Sequence, residues 1–283
     1  MQIVRTLAET RAAVRALRAE KGSIGFVPTM GALHAGHRSL VQAARARCGA
    51  VAVSIFVNPT QFGPNEDFNR YPRTFAEDCE ALREEEVDLL FAPEVATMYP
   101  ADAVTVVRVE GLRDRLDGAS RPGHFDGVAT VVAKLFQIVQ PDAAFFGQKD
   151  AAQVAVLRRM VRDLHLPVEM GICPTVREAD GLAMSSRNRY LSPEERRQAL
   201  TLWRALQVAE ALVKNGERQA ERLLEAMRAV FAAQPHVRVD YLAVVDADTL
   251  LPVQDVRAGA LLAVAAYVGT TRLIDNLLLP PEV

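Results

Sequence analysis

Short apolar runs and helical patterns take turns along the first 175 residues. SIGFV (23–27), AVAVSIFV (50–57), VDLLFAP (87–93) and AAFFG (143–147) are nearly unbroken apolar runs, as strands buried on both faces are. GHRSLVQAARARC (36–48), GVATVVAKLFQIVQ (127–140) and DAAQVAVLRRMVRDL (150–164) instead read as amphipathic helices. Thr6-x-x-Glu9 and Thr74-x-x-Glu77 each have the form of a capping box at a helix start. Buried strands alternating with helices predict an α/β fold, a doubly wound, Rossmann-like parallel sheet.

From Val176 the rhythm changes. READGLAMSSRNRYL (177–191) is polar and almost without period. Ser192, Pro193 and Glu195 then read as an N-cap, a first helical residue and a box partner, and helices are expected over 193–214 and 217–233. VRVDYLAVVD, ALLAVAAYVG and TRLIDNLLL close the chain as a small sheet. The pattern divides the chain into a sheet domain, 1–175, and a smaller α+β domain, 176–283.

Composition narrows the function. Among 283 residues, 33 Lys and Arg face 35 Asp and Glu, for a formal net charge of −2. That excludes attachment to nucleic acid by bulk positive charge, so any anion must be held at a local site. The N-terminus MQIVRTLAETRAAV has no signal core and no apolar run reaches membrane length; a cytoplasmic protein with no membrane partner is expected. Cys48, Cys79 and Cys173 lie far apart with no metal-ligand spacing and read as buried thiols.

Ligands of an open α/β sheet sit outside the carboxyl ends of its strands, near helix N-termini. PTMGALHAGHRSL (28–40) falls at such a place. Gly31 and Gly36 let the backbone approach a bound group. His34 and His37, three apart at a helix start, would face the same way, towards an anion. The positive potential there favours neutral imidazoles, acting as hydrogen-bond donors to phosphate. A structural turn with two surface histidines is the plain alternative. The HxGH pattern resembles the nucleotide signature of adenylyl-transferring α/β enzymes.

Other stretches add to it. Met184, Ser185, Ser186 and Arg187 resemble a KMSKS loop, with Ala183 where the leading Lys would stand; Arg187 would clamp phosphate bidentately. A solvated linker would suit the same residues. In GQKD, Lys149 is a mobile ammonium at the sheet edge and Asp150 either a plain helix cap or a partner of the nucleotide. Asn58, Gln61 and Tyr71 sit on the long loop after the second buried strand, and Gln153 one turn into the helix after GQKD. Neutral amides would place an attacking carboxylate without the ion pair that dulls it. RPGHFDG adds Arg121 and His124, on substrate or packed against backbone.

VPTMGALHAGH, SIFVNPTQF with YPRT, RPGHFDGV, FFGQKD, DGLAMSSRN, DADTLL and RLIDN together resemble the pantothenate synthetase family across essentially the whole chain. The resemblance implies that pantoate and ATP form an enzyme-bound pantoyl adenylate and pyrophosphate, and that β-alanine then gives pantothenate and AMP. It implies ATP contacts at Met30, Gly31, Ala32, Leu33, His34, Ala35, Gly36 and His37. Gly147, Gln148, Lys149, Asp150 and Val176 follow, then Met184, Ser185, Ser186 and Arg187. Gln61 and Gln153 would hold pantoate, with His37 the candidate proton donor beside His34, Lys149 and Arg187. Mg²⁺ on the phosphates, with no protein ligand assigned, and a homodimer are implied as well. Asp78 is a candidate for a supporting role or a helix-surface charge. A nucleotidyltransferase, which would need a basic acceptor-phosphate site, and a non-catalytic nucleotide module are the competing classes.

Overall fold

The computed structural model describes residues 1–64 and 66–282. Its first part runs β1 (Gln2–Val4), α1 (Leu7–Lys21), β2 (Ile24–Thr29), α2 (Ala35–Arg47), β3 (Ala50–Ile55), α3 (Phe75–Glu84) and β4 (Leu89–Phe91). It continues through short α4 (Val95–Met98) and α5 (Asp117–Ser120) to α6 (His124–Val139), β5 (Ala143–Gly147), α7 (Ala151–Asp163) and β6 (Glu169–Cys173). The strands form one sheet in the order β1-β4-β3-β2-β5-β6, every pair parallel. The apolar runs of the sequence supply β2 to β5. The edge strands β1 and β6 are short and not among those runs.

Strand order places the crevice. From β2 the chain steps outward on one side to β3 and β4, and on the other β5 leads to β6, so the order reverses between β2 and β5. β2 pairs with β3 from Ile24↔Ala50 to Thr29↔Ile55, but with β5 only at Gly25↔Ala143 and Phe26↔Ala144. Beyond Phe26 these two strands part, and the gap at their carboxyl ends is the place where open α/β sheets bind ligands.

The second part holds α8 (Pro193–Lys214), α9 (Ala220–Ala232) and the antiparallel strands β7 (Val237–Val245), β8 (Ala260–Val268) and β9 (Thr271–Leu279), in that order. β8 is almost wholly apolar because both its faces are covered. Leu262, Val264, Ala266 and Val268 join the core beneath α8 and α9, while Leu261 and Ala263 join the core containing α6 and α7. A bulge between Val239 and Tyr241 changes the phase of β7. Val237 and Val239 pack towards α8 and α9; Tyr241, Ala243 and Val245 pack towards the parallel-sheet part.

Two caps form as the sequence predicts. Thr6 Oγ1 accepts from Glu9 N at 3.3 Å while the Glu9 carboxylate accepts from Thr6 N at 3.0 Å, and Ser192 and Glu195 make the same box at α8. The box expected at Thr74 and Glu77 does not form. The Thr74 hydroxyl donates instead to Asp78 Oδ1 at 3.2 Å, because Asp78 is buried against the turn after β2. The polar stretch 177–191 is not a linker. Met184 N donates to Val176 O and Glu178 N to Leu182 O, closing a hairpin, and Ser186–Tyr190 forms a single 3₁₀ turn beyond it.

Candidate active site

The turn after β2 explains the paired histidines. His34 is the N-cap of α2, and its Nδ1 accepts from Gly36 N at 3.2 Å; His37 Nδ1 accepts from His34 N at 3.3 Å. The rings stand 4.1 Å apart between centroids. With both Nδ1 atoms accepting backbone N–H groups, the ring proton of each neutral imidazole sits on Nε2. Burial, then the neighbouring Lys149, pulls the His34 pKa to about 4; burial, then His34, pulls His37 to about 3. Near neutral pH both rings are uncharged donors.

Asp78 fixes this turn. Its carboxylate is 3% exposed and accepts from Ala32 N at 3.0 Å and Leu33 N at 2.8 Å. Gly31 and Ala32 both have left-handed backbones, with φ of 78° and 50°. A Cβ on Gly31 would lie 2.9 Å from Asp78 Oδ2, so this site requires glycine for both conformation and space.

His37, Lys149 and Gln153, from three separate stretches, line one cavity of about 230 Å³. Met30, His34, Gly36, Gly147 and Asp150 line it too, as do Val176 and the Met184–Arg187 stretch. A larger space of about 530 Å³ shares Lys149, Gln153 and Arg187 with it and extends towards β9. Gly31, Ala32, Leu33, Ala35 and Gln148, expected at the nucleotide, line neither space. Ala32 is buried, Ala35 is exposed, and the Gln148 amide donates to Asn276 Oδ1 at 3.2 Å.

On the other wall, Asn58, Gln61, Tyr71, Arg121 and His124 all reach the smaller cavity, but they do not all offer free groups. Asn58 is 1% exposed. Its Oδ1 accepts from the Thr60 and Tyr99 hydroxyls, each at 2.9 Å, and its Nδ2 donates to Gln61 Oε1 at 3.0 Å and Gly127 O at 3.2 Å. The Asn58 amide, expected at the substrate, is thus bonded on both ends to protein groups, one of them Gln61. Gln61 Nε2, also 3.3 Å from Met30 Sδ, is left at the cavity. Gly127 allows this contact, since a Cβ there would fall 2.4 Å from Thr60 O.

His124 opens α6 and is not a loop residue. Its Nδ1 lies 2.8 Å from Gln61 O and its Nε2 3.0 Å from Arg121 Nη1, so Nδ1 donates and Nε2 accepts. Burial, then Arg121, lowers its pKa to about 4. Arg121 is itself held by Glu66 through Nε and Nη2, both at 2.6 Å. The plainer reading of this pair, packing against protein, is the one the contacts favour.

The groups expected to hold phosphate are also bonded to protein. Arg187 Nε and Nη2 donate to the two oxygens of Asp67, each at 2.9 Å, so its fork is taken up by a carboxylate of the loop after β3. Tyr71 Oη and Ser186 Oγ lie 3.3 Å apart, and Tyr190 Oη donates to Arg70 O at 3.1 Å. These contacts interlock the loop with the 186–190 turn. Ser185 Oγ caps that turn by accepting from Arg187 N at 3.2 Å. Asp150 precedes α7 without a side-chain cap bond and lies 3.6 Å from Lys149 Nζ.

Residues that sequence reasoning passed over support this wall. Glu66 and Asp67 signalled themselves only as an acidic pair ahead of Tyr71. Asp275 and Asn276 break an apolar run, two buried polar neighbours where strand alternation would bury one.

Relatives match this chain over almost its whole length. A family model described as pantoate-beta-alanine ligase matches residues 2–278. A pantothenate synthetase of Acidobacterium capsulatum is 64% identical over 290 residues, covering 99% of this chain and 97% of that one. One of Koribacter versatilis is 58% identical over 279 residues, covering 99% and 96%. The crystal structure of the pantothenate synthetase from Thermus thermophilus is 52% identical, with a TM-score of 0.94 over 99% of this chain and 100% of that one. The pantoate-beta-alanine ligase of Francisella tularensis, complexed with beta-gamma ATP and beta-alanine, is 32% identical with a TM-score of 0.76, covering 98% and 97%. This chain belongs to the pantoate-beta-alanine ligase family.

Proposed function

We propose that this chain condenses pantoate with β-alanine at the expense of ATP, through a pantoyl adenylate. One observation carries the site assignment: His37, Lys149 and Gln153 converge on a single cavity at the sheet's switch point. The Gln61 and Gln153 amides hold pantoate so that its carboxylate faces the α-phosphorus, an in-line approach that depends on position. The Nε2–H groups of His34 and His37 donate to the phosphate oxygens as charge builds on them, at the positive end of α2. Lys149 supplies a cation to the same charge. Ser186 and Arg187 take the departing pyrophosphate once Arg187 leaves Asp67. His37 acts as a hydrogen-bond donor and not as a titrating acid, a role its pKa of about 3 favours. The β-alanine amine then attacks the acyl carbon and AMP departs.

Among the described residues no three His, Cys, Asp or Glu side chains form a metal-holding group. On this reading Mg²⁺ enters as part of the MgATP substrate, carried by phosphate oxygens. On the same reading residues 1–175 bind nucleotide and pantoate and 176–283 form the lid. The three cysteines are free thiols, in keeping with a cytoplasmic setting. A homodimer belongs to the same reading. No helix among the described residues is long and apolar enough to cross a membrane.

The test is pyrophosphate release. ATP plus pantoate, without β-alanine, is expected to release about one pyrophosphate per site. A strict need for β-alanine, or a dinucleotide product, would overturn the assignment.

A further inference from the structure

Two consecutive residues of β9 bridge loops far apart in sequence. Asn276 is 5% exposed. Its Nδ2 donates to Gln148 O at 3.0 Å and Lys149 O at 2.8 Å, while its Oδ1 accepts from Gln148 Nε2 at 3.2 Å. One amide thereby holds both carbonyls of the turn that carries the Lys149 ammonium. Asp275 is 3% exposed. Its carboxylate receives Arg177 Nη1 at 2.6 Å and Nη2 at 2.9 Å. Arg177 lies in the first arm of the 176–184 hairpin, bridged to Ala183, donates to Gly181 O at 3.1 Å, and stacks on Trp203 at 3.6 Å. Met184 to Arg187 follow directly from that hairpin.

We propose that Asp275 and Asn276 are positioning residues forming one cross-domain node, Asn276 setting Lys149 and Asp275 setting the Ser185–Arg187 segment through Arg177. This deepens the reading above and rests on it, because both loops are there taken to bind ATP. The backbone geometry accounts for how two neighbours serve two loops: successive strand side chains point to opposite faces. Arg177 Nη2 also lies 3.4 Å from Asn276 O, which ties the two halves of the node together. The node thus ties the Lys149 turn of the first part to the Ser185–Arg187 segment of the second.

The test is a pair of double-mutant cycles on kcat/KM for ATP. Asn276→Ala alone is expected to cost about 10- to 100-fold, the scale of a misplaced catalytic group. In a Lys149→Ala background the same change should cost little, and KM for β-alanine should hold in both. Asp275→Asn should behave likewise against Arg187→Ala. Asn276→Ser, which keeps one hydroxyl donor, should recover part of the loss and serves as the folded variant if Asn276→Ala does not fold. Costs that multiply fully in the cycles, or ATP kinetics unchanged in folded variants, would overturn the proposal. Failure of the wild-type protein to release pyrophosphate from ATP and pantoate would instead remove the reading beneath it.

Discussion

The two walls of the cavity proposed to take the nucleotide are prepared in opposite ways. On the β2–α2 turn, both imidazoles are locked through Nδ1 by backbone N–H groups, and Asp78 pins the turn from behind. Their donors are uncharged and already placed. Across the cavity, Arg187 carries a permanent charge that Asp67 already satisfies. A neutral donor can wait unpartnered at modest cost, whereas a partly buried guanidinium needs a counter-charge until substrate brings one. On the proposed function the first wall is therefore ready before nucleotide arrives, and the second has to change partners.

The strongest way to break this contrast is His37→Ala. Removing one preset donor to developing charge typically costs about 10²- to 10³-fold in rate, so the pre-steady-state rate of pyrophosphate release should fall by that scale. Because the His34 and His37 pKa values lie at about 4 and about 3, both rings stay neutral from pH 8 down to 6. The wild-type rate should have no limb there from either ring. A limb in that range that vanishes in the variant would restore His37 as a titrating acid.

Asp78→Ala attacks the same wall from behind. It leaves Ala32 N and Leu33 N without their acceptor, a loss of about 1–3 kcal/mol of stability, visible as a lower melting temperature. It should also raise KM for ATP by about tenfold as the turn relaxes. Unchanged ATP kinetics in a folded variant would mean that the turn holds itself.

Asp67→Asn sharpens the opposite wall. Releasing Arg187 from this carboxylate should lower KM for ATP by about two- to fivefold, a difference of up to about 1 kcal/mol. The effect is small and its sign decides the matter. A raised KM would show that Asp67 orients the arginine for phosphate instead of competing with it.

How far these walls could be read from sequence depends on what each residue bonds. The His34 and His37 pair was legible because its chemistry is local: three residues and a helix start suffice to aim both rings. β2 to β5 were legible for a related reason, since burial on both faces leaves no polar alternation to obscure them. The hydrogen bonds of Asn58 are not legible locally, because its partners Tyr99 and Gly127 lie 41 and 69 positions away. The Thr74 box failed because Asp78, only four residues on, is held against Ala32 and Leu33, 46 and 45 positions away, and draws the Thr74 hydroxyl to itself. Asp67 and Asn276 had no local sign of their role, because their partners lie 120 and 127 or more positions away in the chain.

The apolar interior shared by α6, α7, β7 and β8 has a practical corollary for protein engineering. Grafting the tail of a relative onto residues 1–175 would join faces that were never fitted to each other, because Leu261, Ala263 and Val245 belong to the interior of the first part. A working chimera would have to exchange the contacting faces of α6 and α7 along with the tail, which makes the seam between the halves a unit of inheritance in its own right.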